Sequence, residues 1–144
     1  NILMESRSNR PIILDFGIAK VSRGLDNESS SIQGTPMYMP PEQIRSETAD
    51  SRADIYASGM MLFEMLVTDL PLPRIDPVEL LLLKLKEKDR LIKTKPSEMN
   101  PKVYPDMDSI VFKAIAFDPR DRFASCAEFR RALLSYQNRH LGKA

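Results

Sequence analysis

The sequence predicts a mainly α chain, in which a small β-hairpin is followed by a helical bundle around one central apolar helix. Three observations predict it. Two short β-prone runs, residues 2–4 and 12–14, flank a polar turn segment. Residues 53–68 are apolar around most of a helical circumference, the pattern of a helix in the middle of a protein rather than on its surface. Most of the chain beyond residue 68 carries helix-start signatures and apolar residues at helical spacing.

In chain order, Ile2-Leu3-Met4 and Ile12-Ile13-Leu14 surround Glu5-Ser6-Arg7-Ser8-Asn9-Arg10-Pro11 and read as a hairpin. A lone two-stranded hairpin is marginal, so it must lean on something larger. Residues 21–33 are polar loop, with Gly24, Asp26, Asn27 and three consecutive serines. Loops of this length are usually functional or disordered. Pro40-Pro41 opens a short helix over 42–45, since proline suits a first turn. Residues 46–52 are polar loop again. In the central helix over 53–68, Asp54 stands near the start, where a carboxylate can cap free N–H groups. Asp76-Pro77-Val78-Glu79 supplies a cap, a first-turn proline and a capping-box acid for a helix to about residue 88. A helix over 107–117 places Ile110, Val111, Ala114 and Ile115 on one face. Ser125 and Glu128 form a second capping box, opening a helix to about residue 138 with Phe129, Ala132, Leu133 and Tyr136 inward. Residues 84–90 read as a charged, solvated helix face, Met60, Met61 and Met65 as core filler, and Cys126 as a packed thiol.

Composition excludes several function classes. The chain has 144 residues, 42% of them hydrophobic, enough for one packed core without a second domain or internal repeats. Its 21 basic and 20 acidic side chains leave a net charge of +1, which makes no case for nucleic acid or an anionic membrane as partner. One cysteine and one histidine make a Cys/His metal site an unreasonable reading, and a single thiol fits a reducing compartment. No stretch reaches the roughly 18 apolar residues of a membrane helix, and the first residues do not read as a signal peptide. The expectation is a cytoplasmic segment without membrane contact of its own.

The informative stretch is 15–42. Asp15-Phe16-Gly17 stands at one end, Gly34-Thr35-Pro36-Met37-Tyr38-Met39-Pro40-Pro41-Glu42 at the other, with a serine-rich loop between. Either alone is weak. Together, at this distance, they resemble the activation segment of a Ser/Thr protein kinase. Asn1-Ile2-Leu3, Asp54 with Gly59 five residues on, and Asp121-Arg122-Phe123 follow the order of that family. By this resemblance residues 1–144 are identified as part of a Hanks-type Ser/Thr kinase catalytic domain, running from the end of the catalytic loop through the final helix of the large lobe. The wording Pro41-Glu42-Gln43 and Asp54-Ile55-Tyr56-Ala57 looks most like bacterial members.

The resemblance implies roles. Asp15 would hold the Mg²⁺ that bridges the phosphates of ATP, and Asn1 the second Mg²⁺, because phosphoryl transfer is mostly positioning and charge neutralisation by hard oxygen ligands. Thr35 would line the substrate-docking loop and bond the catalytic aspartate, and the Gly-Thr-Pro form favours serine or threonine acceptors on a protein substrate. Pro40 departs from the alanine common at that position. Glu42 and Arg122 match a structural ion pair that anchors the docking loop to the later helices, and Asp54 matches a residue that holds the catalytic-loop backbone. Ser29, Ser30 and Ser31 fall where activating phosphorylation occurs, with Lys20 as a candidate partner for the phosphate; a flexible serine-rich loop is the plainer reading of any one of them.

These 144 residues contain no Gly-rich phosphate loop, no Val-Ala-x-Lys lysine and no His-Arg-Asp. The polypeptide alone is therefore expected to be inactive, with the remainder of the kinase domain as its first partner. In the family the central helix is covered by an earlier helix that this chain does not contain, so sticky, oligomeric or partly molten behaviour is expected. Three readings remain: part of an enzyme, a kinase-derived binding or scaffold module, and a half that completes its fold with another chain. Retention of Asp15 and Asn1 favours the first.

Overall fold

The computed structural model describes residues 2–14, 35–140 and Gly142. They divide between two units, Asn1–Gln33 and Gly34–Ala144. In the first, β1 (Ile2–Met4) pairs antiparallel with β2 (Pro11–Ile13), in the register Ile2 to Ile13, Leu3 to Ile12 and Met4 to Pro11. Pro11 can begin an edge strand because no ladder bond needs its missing N–H. In the turn, Glu5 N–H donates to the Arg10 carbonyl at 2.9 Å and Asn9 N–H to the Glu5 carbonyl at 2.8 Å. Asn9 sits at φ 53°, a left-handed conformation that asparagine tolerates better than most residues.

Among its described residues the second unit holds six α-helices: α1 (Pro41–Ile44), α2 (Arg52–Val67), α3 (Pro77–Glu87), α4 (Pro96–Met99), α5 (Asp106–Ala114) and α6 (Cys126–His140). Helix α2 is central as its composition predicts, packing against α4, α5 and α6, while α1 packs on α3. Ile55, Met60 and Phe63 of α2 and Val111 and Ala114 of α5 are fully buried, and Phe123, Phe129 and Tyr136 close the core from the C-terminal side. The contact of α2 with α5 is tight at Gly59, where a Cβ would stand 2.7 Å from that of Ala114.

Several sequence expectations are corrected. Asp54 does not cap α2: it is exposed and accepts no hydrogen bond from a described residue. The helix entry is held by Asp50, whose carboxylate accepts from Arg52 N–H at 2.8 Å and grips the Arg52 guanidinium at 2.7 Å. Helix α5 stops at Ala114, short of 117. Its continuation is broken because Phe117 N–H turns to Asp89 (2.7 Å), the carbonyls of Ala116 and Phe117 are taken by Arg122, and Asp118, preceding Pro119, is extended. Helix α4 lies in a stretch without apolar periodicity. It exists because the buried Asp108 accepts from both Ser97 N–H (2.9 Å) and Ser97 Oγ (2.6 Å). Met65 is 74% exposed rather than core filler, and Cys126 is exposed. Residues 84–90 are not a uniformly solvated face, since Lys84 is buried.

The caps of α3 and α6 follow the sequence more closely. Asp76 accepts from Val78 N–H at 2.8 Å. Ser125 Oγ accepts from Glu128 N–H at 3.2 Å, while Glu128 reaches back one residue further than a standard capping box, to Ala124 N–H at 2.8 Å. At the far end of α6, His140 stacks on Tyr104 (centroids 4.1 Å apart) and meets Asp106 at 2.9 Å, a structural use of the one histidine.

Candidate functional site

The loop over residues 35–40 is short, proline-bearing and poor in internal bonds, so its shape depends on what grips it. Two backbone bonds curl it, Tyr38 N–H to the Thr35 carbonyl (3.0 Å) and Met39 N–H to the Pro36 carbonyl (3.3 Å). Pro40 then enters α1 in extended geometry, and Pro41 takes the first helical turn, where its missing N–H leaves no orphan.

Three side chains fasten this loop and α1 to the helices. Tyr38 Oη donates to Glu64 Oε2 of α2 at 2.5 Å, and that bond, with burial and the Glu64 charge, pushes the phenol up to about 12. Lys84 of α3 donates to the carbonyls of Pro36 (3.1 Å), Met37 (3.0 Å) and Met39 (2.7 Å), with the Tyr56 ring 5.1 Å from its ammonium nitrogen. Burial pulls this lysine down from 10.5 to about 8. Glu42 of α1 makes a bidentate pair with Arg122, both bonds 2.8 Å, with side chains 4% and 0% exposed. Arg122 also donates to the carbonyls of Ala116, Phe117 and Arg52 and lies 4.8 Å over the Tyr56 ring. A buried charge pair is tolerable only with its remaining donors satisfied, and here they are.

Held this way, the loop walls one side of a cavity of about 310 Å³. Thr35, Pro36 and Met37 form that side, and Leu70, Leu72, Ile75 and Leu80 much of the other. Its rim carries the exposed Arg74–Asp69 pair at 2.8 Å. A cavity with this lining suits an apolar group better than a charged one.

The structure places the sequence-predicted residues unequally. Glu42 and Arg122 are in direct contact. Thr35 is exposed at the cavity edge, and its hydroxyl bonds no described residue. Asp54 stands on the exposed side of the first turn of α2. Asn1, Asp15, Lys20, Ser29, Ser30 and Ser31 lie outside the described residues. Among the described residues no group of three or more His, Cys, Asp or Glu side chains could hold a metal, and no helix is long and apolar enough to cross a membrane. Sequence reasoning missed Lys84 and the Tyr38–Glu64 bond. The available signal for Lys84 was its place four residues after Leu80, on the buried side of an amphipathic helix.

A family model described as the protein kinase domain matches residues 1–133. The chain belongs to the protein kinase family. Members of this family are transferases that use ATP and Mg²⁺ and act on proteins, and the helical unit with its short hairpin fits part of the family's large lobe. Among relatives, the serine/threonine-protein kinase PknB of Mycolicibacterium smegmatis is 33% identical over 135 residues, covering 92% of this chain and 21% of that protein. The tyrosine-protein kinase MasK of Myxococcus xanthus is 36% identical over 130 residues, 90% of this chain and 20% of that protein. A probable serine/threonine-protein kinase PknB of Bifidobacterium longum is 36% identical over 129 residues, 88% of this chain and 18% of that protein. The kinase segment thus spans about a fifth of the length of these relatives.

Proposed function

We propose that this chain is the acceptor-docking part of an ATP-dependent protein kinase that phosphorylates serine or threonine on a protein substrate. The observation that carries the reading is the fastened loop over residues 35–40: Tyr38 and Lys84 anchor this short, half-buried segment directly and the Glu42–Arg122 pair anchors the helix it runs into, so that it stands fixed against an apolar cavity, as a surface for extended peptide requires. Asp15 and Asn1 would hold Mg²⁺ and, through it, ATP, while Ser29, Ser30 and Ser31 are the candidate sites of activating phosphorylation, with Lys20 as partner. The choice of serine or threonine rests on the Gly34-Thr35-Pro36 form, since one relative is named a tyrosine kinase.

The catalytic base and the phosphate-binding lysine of the family are not among these 144 residues, so the polypeptide alone is expected to transfer no phosphate. The test is paired. The purified 144-residue chain is assayed with labelled ATP against serine, threonine and tyrosine peptides, and the coding sequence upstream of Asn1 is read. No labelling by the chain, together with an in-frame His-Arg-Asp segment whose inclusion restores serine or threonine labelling, supports the reading. Labelling by the chain alone would contradict it. A start codon directly before Asn1 would favour a kinase-derived binding module, with Asp15 as a relic.

A further inference from the structure

Lys84 is a cation in a setting that suits an aliphatic side chain. It shares the buried side of α3 with Leu80 and Leu81, is 3% exposed, and forms no ion pair with a described residue. A buried ammonium is costly unless all its donors are met. Lysine has three donors, and here three carbonyls receive them, every one from the same four-residue stretch of loop. The carbonyls of Met37 and Met39 have no other partner among the described residues. Lys84 is not itself in the lining of the cavity that this loop walls.

We propose that Lys84 is a positioning residue for the acceptor peptide: by holding the carbonyls of Pro36, Met37 and Met39 it fixes the turn that walls the acceptor cavity, and it acts through that turn without touching the peptide. The inference rests on the acceptor-docking reading. An apolar residue at 84 would satisfy burial equally well but would leave the loop carbonyls to water or to alternative turns. The ammonium therefore serves the shape of the loop rather than the packing of α3.

The first experiment needs no activity. Amide hydrogen exchange is followed in the 144-residue chain and in Lys84→Met. The amides of Tyr38 and Met39 are expected to exchange about tenfold faster in the variant, while those of Val111 and Ala114 stay within about twofold, because opening is local rather than global. A Lys84→Cys chain in a Cys126→Ser background tests the charge. Aminoethylation, which rebuilds a lysine-like cation, is expected to restore slow exchange, whereas ethylation is not. Unchanged loop rates, or equal acceleration of all amides, would overturn the proposal.

The second experiment uses the active kinase that carries this segment. Lys84→Met is expected to raise the KM for peptide by about tenfold and to leave the KM for ATP within about twofold, the split of an interaction that serves acceptor binding alone. Loosened loop amides with an unchanged peptide KM would overturn the positioning role while leaving the kinase reading intact. Absence of phosphotransfer from the wild-type kinase would bring down that reading instead, and the positioning role with it.

Discussion

A guanidinium with no exposed surface cannot lose its carboxylate cheaply. Arg122 joins α1, the start of α2 and the segment after α5 through one side chain, so it ties the docking loop to the core of the helical unit. Arg122→Ala or Glu42→Ala is expected to destabilise the chain by about 3–5 kcal/mol, and the double replacement by less than the sum, because the second change removes a charge already orphaned by the first. Urea unfolding of the four proteins measures this, and simple additivity would show that the two side chains act separately. Lys84 makes a pH prediction of opposite character. Its folded value of about 8 lies below the ordinary 10.5. Between those values the unfolded chain binds more protons, so stability rises with pH from about 8 to 10.5, by at most about 3 kcal/mol, and this group contributes no slope below 8. Lys84 lines a second cavity, distinct from the one walled by the 35–40 loop, together with Tyr56, Lys88, Asp89 and Asp121, and the Glu42–Arg122 pair lies beyond Tyr56. The rise is therefore read as the difference between wild type and Lys84→Met from about pH 8 to 10.5; parallel curves would refute it. The contrast between the two residues shows what sequence carries. Arg122 and Glu42 are legible because their neighbours form recognisable patterns, whereas a buried lysine has the same letter as a solvated one and its burial is decided by a loop some forty-five residues earlier.

At the scale of elements, periodicity located what packing later fixed. The central helix, the capped starts of α3 and α6 and the inward faces of α5 and α6 are readable from residue spacing. Helix ends are not, because they depend on tertiary partners: α5 stops where Arg122 and Asp89 claim its backbone, and α4 exists through Asp108 of another helix. The close approach of α2 to α5 is likewise silent in the sequence except as a glycine in mid-helix, where alanine would ordinarily favour the helix by about 1 kcal/mol. At Gly59 an added methyl would meet Ala114 Cβ at 2.7 Å and Ile115 Cγ2 at 2.8 Å, with the Ala114 backbone behind them at 3.3 Å. Neither neighbour at this seam is a long flexible side chain that can swing aside. Gly59→Ala is therefore expected to lower stability by about 1–3 kcal/mol, overpacking outweighing propensity. A rise in the urea midpoint would mean that the helices separate more easily than this packing implies.

For the whole molecule the question is which apolar surface is left to water. Elsewhere in the helical unit Ile75, Val78, Leu82, Met99, Tyr104 and Leu134 are exposed, but on the central helix Ile55, Met60 and Phe63 are fully buried, and Met65 is the large apolar residue left open. This is less exposure than a helix apolar on all sides leads one to expect. The hairpin is the opposite case. Ile2, Leu3, Met4, Ile12, Ile13 and Leu14 are each between 36% and 59% exposed, six large apolar side chains on or beside two three-residue strands. A two-stranded hairpin is marginal in water even when its outer face is polar, and large apolar side chains open to water on both of its faces favour association. Charge offers little resistance to association, since the net charge is +1. The 144-residue chain is therefore expected to self-associate with rising concentration, seen as a growing mass in light scattering coupled to size exclusion. Replacing Leu3 and Ile13 with threonine keeps β-propensity while removing apolar surface, and is expected to shift the chain toward monomer. Met65→Lys is expected to shift it less, because one side chain contributes only a small part of the open area. A concentration-independent monomer in the unsubstituted chain would show that the hairpin surface is already satisfied within a single copy. It would also argue against a half-domain that completes its fold by pairing.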